Sequence, residues 1–211
     1  LWITAAEQLA GRGRHGRQWS SPQGNLYASL LLIDPCEVAA APQLGFVAGL
    51  ALHEAVEEVT GIGAPNLSLK WPNDLLAGGD KLCGILVETG TQHGNLWMAA
   101  GFGVNVEVAP ERDDRRTACL ADMPGGQGLT AQKVLAALDI AFRARLHSLL
   151  QTGFERVRED WLACAAHLGA TVEVNGVKGE MTGLANDGAL ALRLADGSVT
   201  HVRAGEISLL S

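Results

Sequence analysis

From Gly169 onward the chain alternates short apolar stretches with Asn, Asp and Gly turns. Thr171-Val172-Glu173-Val174 and residues 178–184, 189–194, 199–202 and 207–210 are each of strand length. Gly176, Asn186-Asp187-Gly188 and Asp196-Gly197 separate them. Short strands punctuated by turn residues every eight to twelve positions or so define a small β-barrel or sandwich. Residues 1–166 carry a different pattern, so the chain is expected to divide into domains at 1–166 and 167–211.

In the first part, strand and helix periodicities are interleaved. Residues 1–6 and 25–33 read as strands, the second stopped by Asp34-Pro35. Residues 42–60 carry apolar positions at helical spacing, with Gly61 placed as the C-terminal cap. Residues 68–71, 81–88 and 95–106 are strand-like, and the first two flank a turn-rich loop at 72–80. Residues 130–150 and 154–162 are helical, opened by Thr130. The expected fold class is α+β: a mixed β-sheet covered by helices, followed by the β module.

Composition narrows the function. The net charge is −7, with 47% hydrophobic and 18% charged residues. An acidic chain lacks the broad basic face that nucleic-acid binding requires, so no nucleic-acid partner is expected. No apolar run reaches the ~20 residues of a membrane span. Cys36, Cys83, Cys119 and Cys164 are scattered with no C-x-x-C, which fits a reduced, cytoplasmic protein and offers no zinc site. The first residue is Leu1 rather than Met, so a segment of a longer protein is expected.

Against that acidic background, residues 11–17 read Gly-Arg-Gly-Arg-His-Gly-Arg. Glycine admits close backbone approach, and arginine offers a donor fork shaped for phosphate or carboxylate. The letters also satisfy G-x-G-x-x-G, but that fingerprint needs a helix opening from the loop. Pro22 and Gly24 exclude one here. An anion-binding loop, mobile when empty, is the better reading.

Three more segments could share its pocket: Lys70-Trp71-Pro72-Asn73-Asp74, Lys81-Leu82-Cys83-Gly84-Ile85-Leu86-Val87-Glu88, and Gly101-Phe102-Gly103-Val104-Asn105. Together they supply cations, one central carboxylate, aromatic surface and tight backbone. This inventory suits a nucleotide beside an apolar carboxylic acid, hence formation of an acyl-adenylate with loss of pyrophosphate. No Ser/His/Asp or Cys/His spacing points to a covalent enzyme intermediate. Trp71 and Phe102 are expected in the core, Glu88 in a structural role, and His53 and His147 at surface or capping positions.

In order and spacing, these four segments resemble the successive motifs of biotin–protein ligases. The tail Gly205-Glu206-Ile207-Ser208-Leu209, preceded by Gly188-Ala189-Leu190, is similar to that family's C-terminal SH3-like module. The match runs along nearly the whole chain. It implies a two-step enzyme that forms biotinyl-5′-AMP from biotin and ATP with Mg²⁺, then transfers biotin to a lysine of a biotin carboxyl carrier protein. On this resemblance Lys81, Arg14 and Arg12 are the catalytic cations. Gln8, Gly11, Arg12, Gly13, Arg14, Arg17, Trp19, Lys81, Gly84 and Leu86 line the biotin and adenylate site. Lys70, Asn73 and Asn105 serve the nucleotide, and Asp74 meets magnesium through ATP.

The family's Ser-Thr-Asn-like contribution to the biotin pocket lies ahead of the arginine loop and is not among these residues. His15 stands where many relatives have arginine. A lipoate or octanoate ligase of the same superfamily, and a non-catalytic biotin-binding regulatory relative, remain the alternatives. An edge strand of the first domain could pair two copies as a homodimer.

Overall fold

The computed structural model describes residues 1–210. Six strands, β1 (Trp2–Ala5), β2 (Leu26–Ile33), β3 (Leu67–Lys70), β4 (Asp74–Ala77), β5 (Asp80–Gln92) and β6 (Asn95–Val104), form one sheet in the order β1-β2-β6-β5-β4-β3. The sheet was expected to be mixed, yet every ladder in it is antiparallel. The cause is local. Gly78-Gly79 and His93-Gly94 each take positive φ at both positions, and such two-residue turns return the chain as a hairpin. Strand β4 lies inside the stretch expected as a loop. Its four residues are all buried, which leaves no alternation for a sequence pattern to reveal.

Helices α1 (Leu44–Thr60), α2 (Ala131–Thr152) and α3 (Phe154–Ala163) follow the expected positions. Gly61 ends α1 in the left-handed conformation, and the Thr130 hydroxyl accepts from the Lys133 N–H at the start of α2. Leu44, Val47, Leu50, Leu52 and Val56 of α1 are fully buried against the sheet. Phe142 of α2 meets Phe102 edge-on at 6.4 Å, and Trp161 of α3 meets Phe46 at 5.6 Å. His53, expected at the surface or a cap, is instead buried on α1. Its Nε2 lies 3.3 Å from the Leu67 carbonyl, and the apolar stripe of α1 carries it inward.

The helices take one face of the sheet. Along β6, Met98, Ala100, Phe102 and Val104 point into this core, so by the two-residue period Ala99, Gly101 and Gly103 face the other way. These are small residues, and they leave room above the sheet.

A second antiparallel sheet, β7 (Thr171–Val174), β8 (Val177–Leu184), β9 (Leu190–Arg193), β10 (Val199–Val202) and β11 (Ser208–Leu209), has the order β10-β9-β8-β7-β11. Its buried side, including Val172, Met181, Leu192 and Ile207, is continuous with the first core. Main-chain bonds fix the segment that leads from α3 to this sheet: the Leu69 N–H donates to the Cys164 carbonyl at 2.7 Å, and the Ala166 N–H to the Leu69 carbonyl at 2.8 Å. The Trp71 indole N–H reaches the Gly188 carbonyl at 3.4 Å. The segment before β11 is held over the open face of the first sheet by Arg14, which donates to the Gly205 carbonyl at 3.2 Å, and by the Arg115–Glu206 pair. Among the described residues no helix is long and apolar enough to cross a membrane.

Candidate active site

A cleft of about 330 Å³ lies over that open face. Its floor is glycine. Gly84 of β5 pairs with Gly103 of β6, and the Trp19 indole lies flat on both. A Cβ at Gly103 would stand 2.6 Å from the indole ring, and one at Gly84 2.9 Å from it. No side chain longer than hydrogen fits under Trp19 as it stands. The indole Nε1 is buried without a partner.

The wall is the glycine–arginine loop. It folds back on itself: the Gly13 N–H donates to the Arg17 carbonyl at 2.8 Å and the Trp19 N–H to the Gly11 carbonyl at 2.9 Å. Gly11 is the tight point. A Cβ there would meet the Trp19 carbonyl at 2.5 Å and the Ser21 Oγ at 2.6 Å. Gln8 accepts from the Ser21 hydroxyl at 2.8 Å, which anchors the other side of the loop.

Six cationic side chains line the cleft (Arg12, Arg14, Arg17, Lys81, Arg112 and Arg115) against the carboxylates Asp74, Glu88 and Glu206. That local excess of positive charge, in a chain of net charge −7, marks an anion site. The charges are organised. Lys81 Nζ stands 2.6 Å from Asp74 Oδ1 and 5.3 Å from the Trp19 ring centre. Arg115 takes Asp74 Oδ2 at 3.3 Å and Glu206 Oε1 at 2.5 Å, and Arg17 holds the other oxygen of Glu206. Arg14 donates to Asn73 Oδ1 at 3.3 Å and to the Gly205 carbonyl at 3.2 Å, while Asn73 Nδ2 donates to the Ile85 carbonyl. The C-terminal segment is thus tied to the loop twice.

Burial would raise the Glu206 carboxyl, but bonds from Arg17 and Arg115 outweigh it and bring the pKa from 4.5 to about 2. A carboxyl depressed in the folded state stabilises above its unfolded value and loses that contribution as pH falls through the folded one. The tie between loop and C-terminal module should therefore loosen between about pH 4.5 and 2. The protection of the amides at 11–17, taken relative to the intrinsic exchange rate at each pH, should fall across that window in the wild type, while Glu206→Gln should already be poorly protected at pH 6. Equal protection in the two proteins at pH 6 would refute the tie.

Of the residues singled out from sequence, Gln8, Arg12, Gly13, Arg14, Arg17, Trp19, Asn73, Asp74, Lys81, Gly84 and Leu86 line this one cleft. Gly11 packs behind the loop. Two others are placed elsewhere. Lys70 is half-buried at the end of β3, where burial lowers its pKa, and its side chain is not part of the lining. Asn105 is buried, and its Nδ2 donates to the Ala118 carbonyl at 3.0 Å, which secures the loop after β6. Among the charged residues of the cleft, Arg112, Arg115 and Glu206 were not assigned to the site from sequence, and Glu88, expected in a structural role, also lines it. The charge-dense run at 111–116 was the only signal for the two arginines, and nothing in it indicated contact with Asp74, while Glu206 stood only in the tail motif.

Magnesium fits only in company with a nucleotide. Both Asp74 oxygens are taken by cations, and among the described residues no three His, Cys, Asp or Glu side chains converge on a metal position. A hard cation that keeps most of its waters would enter on the phosphates of ATP rather than on protein ligands alone.

An adenylating site on an antiparallel sheet is the class this geometry defines. Residues 1–105 match the model of the biotin/lipoate A/B protein ligase family, and residues 167–210 match the biotin protein ligase C-terminal domain. The chain is 39% identical, over 91% of its length, to the biotin–[acetyl-CoA-carboxylase] ligase of Paracoccus denitrificans, of which it covers 83%. It is 28% identical over 98% of its length to the bifunctional ligase/repressor BirA of Bacillus subtilis, spanning 65% of that protein. The biotin protein ligase from Aquifex aeolicus in complex with biotin and ATP superposes with a TM-score of 0.83 at 30% identity, covering 99% of this chain and 88% of that one. The chain belongs to the biotin protein ligase family.

Proposed function

We propose that this chain joins biotin to ATP and passes the biotinyl group to a lysine of a biotin carboxyl carrier protein. A carboxylate oxygen of biotin attacks the α-phosphorus, the bond to the β-phosphate oxygen breaks, and pyrophosphate leaves. The neutral amine of the acceptor lysine then attacks the acyl carbon, an amide forms, and AMP departs. The observation that carries this reading is Lys81 set beside Asp74 at the edge of a glycine-floored cleft walled by Arg12, Arg14 and Arg17. Charge develops on the α-phosphate oxygens in the transition state, and pre-placed cations stabilise it without reorganising.

In this reading the Trp19 indole, which rests on Gly84 and Gly103, lifts to cover the adenylate, and the floor it leaves, with Leu86, seats the flat biotin rings. Asn73 orients Arg14. Residues 1–166 form the catalytic domain, and residues 167–211 supply Glu206. Magnesium arrives with ATP as part of the substrate. The four free cysteines suit a reducing, cytoplasmic setting. Two copies could pair along β1, the edge strand, where Leu1 and Ile3 are exposed.

Pyrophosphate release from MgATP, with biotin, lipoate and octanoate in parallel, tests the reading. Release with biotin alone is expected. Release with lipoate in its place would keep the chemistry and move the substrate. Biotin binding without release would make the chain a sensor.

A further inference from the structure

We infer that Arg115 is a positioning residue for adenylation: by holding the second oxygen of Asp74 it keeps that carboxylate from neutralising Lys81 alone. The inference rests on the ligase reading above. Its basis is a chain of contacts that no family assignment specifies. The segment carrying Arg115 is stitched to Lys81 itself: the Lys81 N–H donates to the Arg116 carbonyl at 3.1 Å, and the Ala118 N–H donates to the Lys81 carbonyl at 3.0 Å. This short parallel bridge places Arg115 and Lys81 on either side of Asp74. Lys81 then takes one oxygen at 2.6 Å and Arg115 the other at 3.3 Å. Glu206 fixes the far side of the guanidinium at 2.5 Å.

The electrostatic consequence follows directly. Asp74 is 6% exposed, so its charge is poorly screened by water. Paired with Lys81 alone, it would cancel the ammonium and present a carboxylate to incoming phosphates. Arg115 also meets Glu206 and Asp114, but Arg17 and Arg112 pair with those two carboxylates. With Arg115 on the second oxygen of Asp74 the cluster thus keeps a net positive charge, and Lys81 keeps attraction to spare for the biotin carboxylate and the α-phosphate. A guanidinium suits this place because its planar fork of donors can bond several carboxylates at once, here Asp74, Asp114 and Glu206.

Biotin-dependent pyrophosphate release by Arg115→Ala, Arg115→Lys and Arg115→Ala/Asp74→Asn, all in the full chain, tests it. Arg115→Ala should lose at least tenfold in kcat, with the biotin KM moving less. Arg115→Lys should keep a third or more of the wild-type rate, since one charge on Asp74 suffices. Removing the Asp74 charge should relieve the defect, so the double variant should recover at least threefold over Arg115→Ala. A merely structural arginine would not be rescued by a second substitution at its partner. Wild-type rates in Arg115→Ala, or a double variant no faster than it, would overturn the inference while leaving the ligase reading intact. No release by the wild type would overturn the ligase reading and this inference with it.

Discussion

Lys81→Ala is expected to slow biotin-dependent pyrophosphate release by roughly 10²–10³-fold, the usual loss when one pre-placed group that stabilises developing charge is removed. Lys81 sits at the start of β5 with its ammonium between the Asp74 carboxylate and the Trp19 ring. Its main chain is held on both sides by the segment at 116–118. An ammonium fixed in this way loses little freedom on meeting the reacting carboxylate and α-phosphate, and alanine removes the charge while leaving the backbone in place. The fold should survive, because Asp74 keeps Arg115 on its other oxygen and is not left as an unpaired buried charge. Circular dichroism and a cooperative thermal transition would check that point. Rapid-quench measurement of the adenylation step then reads the chemistry, and an unaltered rate would remove Lys81 from its proposed role. Lys81→Arg should recover only part of the loss, since the larger planar group cannot occupy the place of a compact ammonium beside the indole.

How far the sequence reached differs between fold and site. The helices were legible because α1 and α2 carry long apolar periodicities with residues suited to their ends, Gly61 after one and Thr130 before the other. Strand β4 was not, because Asp74-Leu75-Leu76-Ala77 is short and buried throughout. His53 was misplaced because a polar letter at a helical position carries no sign of which face it occupies, and the decisive partner, the Leu67 carbonyl, lies on another element. In the cleft, Arg12, Arg14, Arg17 and Lys81 could be read from dense local motifs. Glu206 could be read only as part of a tail motif, because its function in the cleft depends on how the second sheet packs on the first. Arg115 lay in a charge cluster that reads equally well as a solvated loop, and only the bridge from Thr117 to Lys81 brings it to Asp74. Asn105 shows the converse. A motif position that suggested nucleotide contact is occupied in bonding the Ala118 carbonyl.

Gly103→Val should separate stability from binding more sharply than any other single change in the cleft. Gly103 lies in the middle of the sheet, paired with Tyr27 on one side and Gly84 on the other. Glycine within a strand weakens it by about 0.5–1 kcal/mol, and valine is among the best strand formers, so the substitution by itself favours the fold. On the cleft side the balance reverses. The new Cβ would lie 2.6 Å from the Trp19 ring, well inside contact distance, and its two methyl groups would reach further still. The indole must lift, and because the Trp19 N–H is bonded to the Gly11 carbonyl, the arginine loop must move with it. The same methyl groups would stand in the space where the flat rings of biotin are proposed to lie. Biotin affinity should therefore fall at least a hundredfold by calorimetry, while the melting temperature stays level or rises. Gly103→Ala, with a single methyl, should fall between the two. Retained biotin affinity in Gly103→Val would show that the ligand does not use this floor, and a fall in both quantities would mean that the indole supports the fold rather than the site.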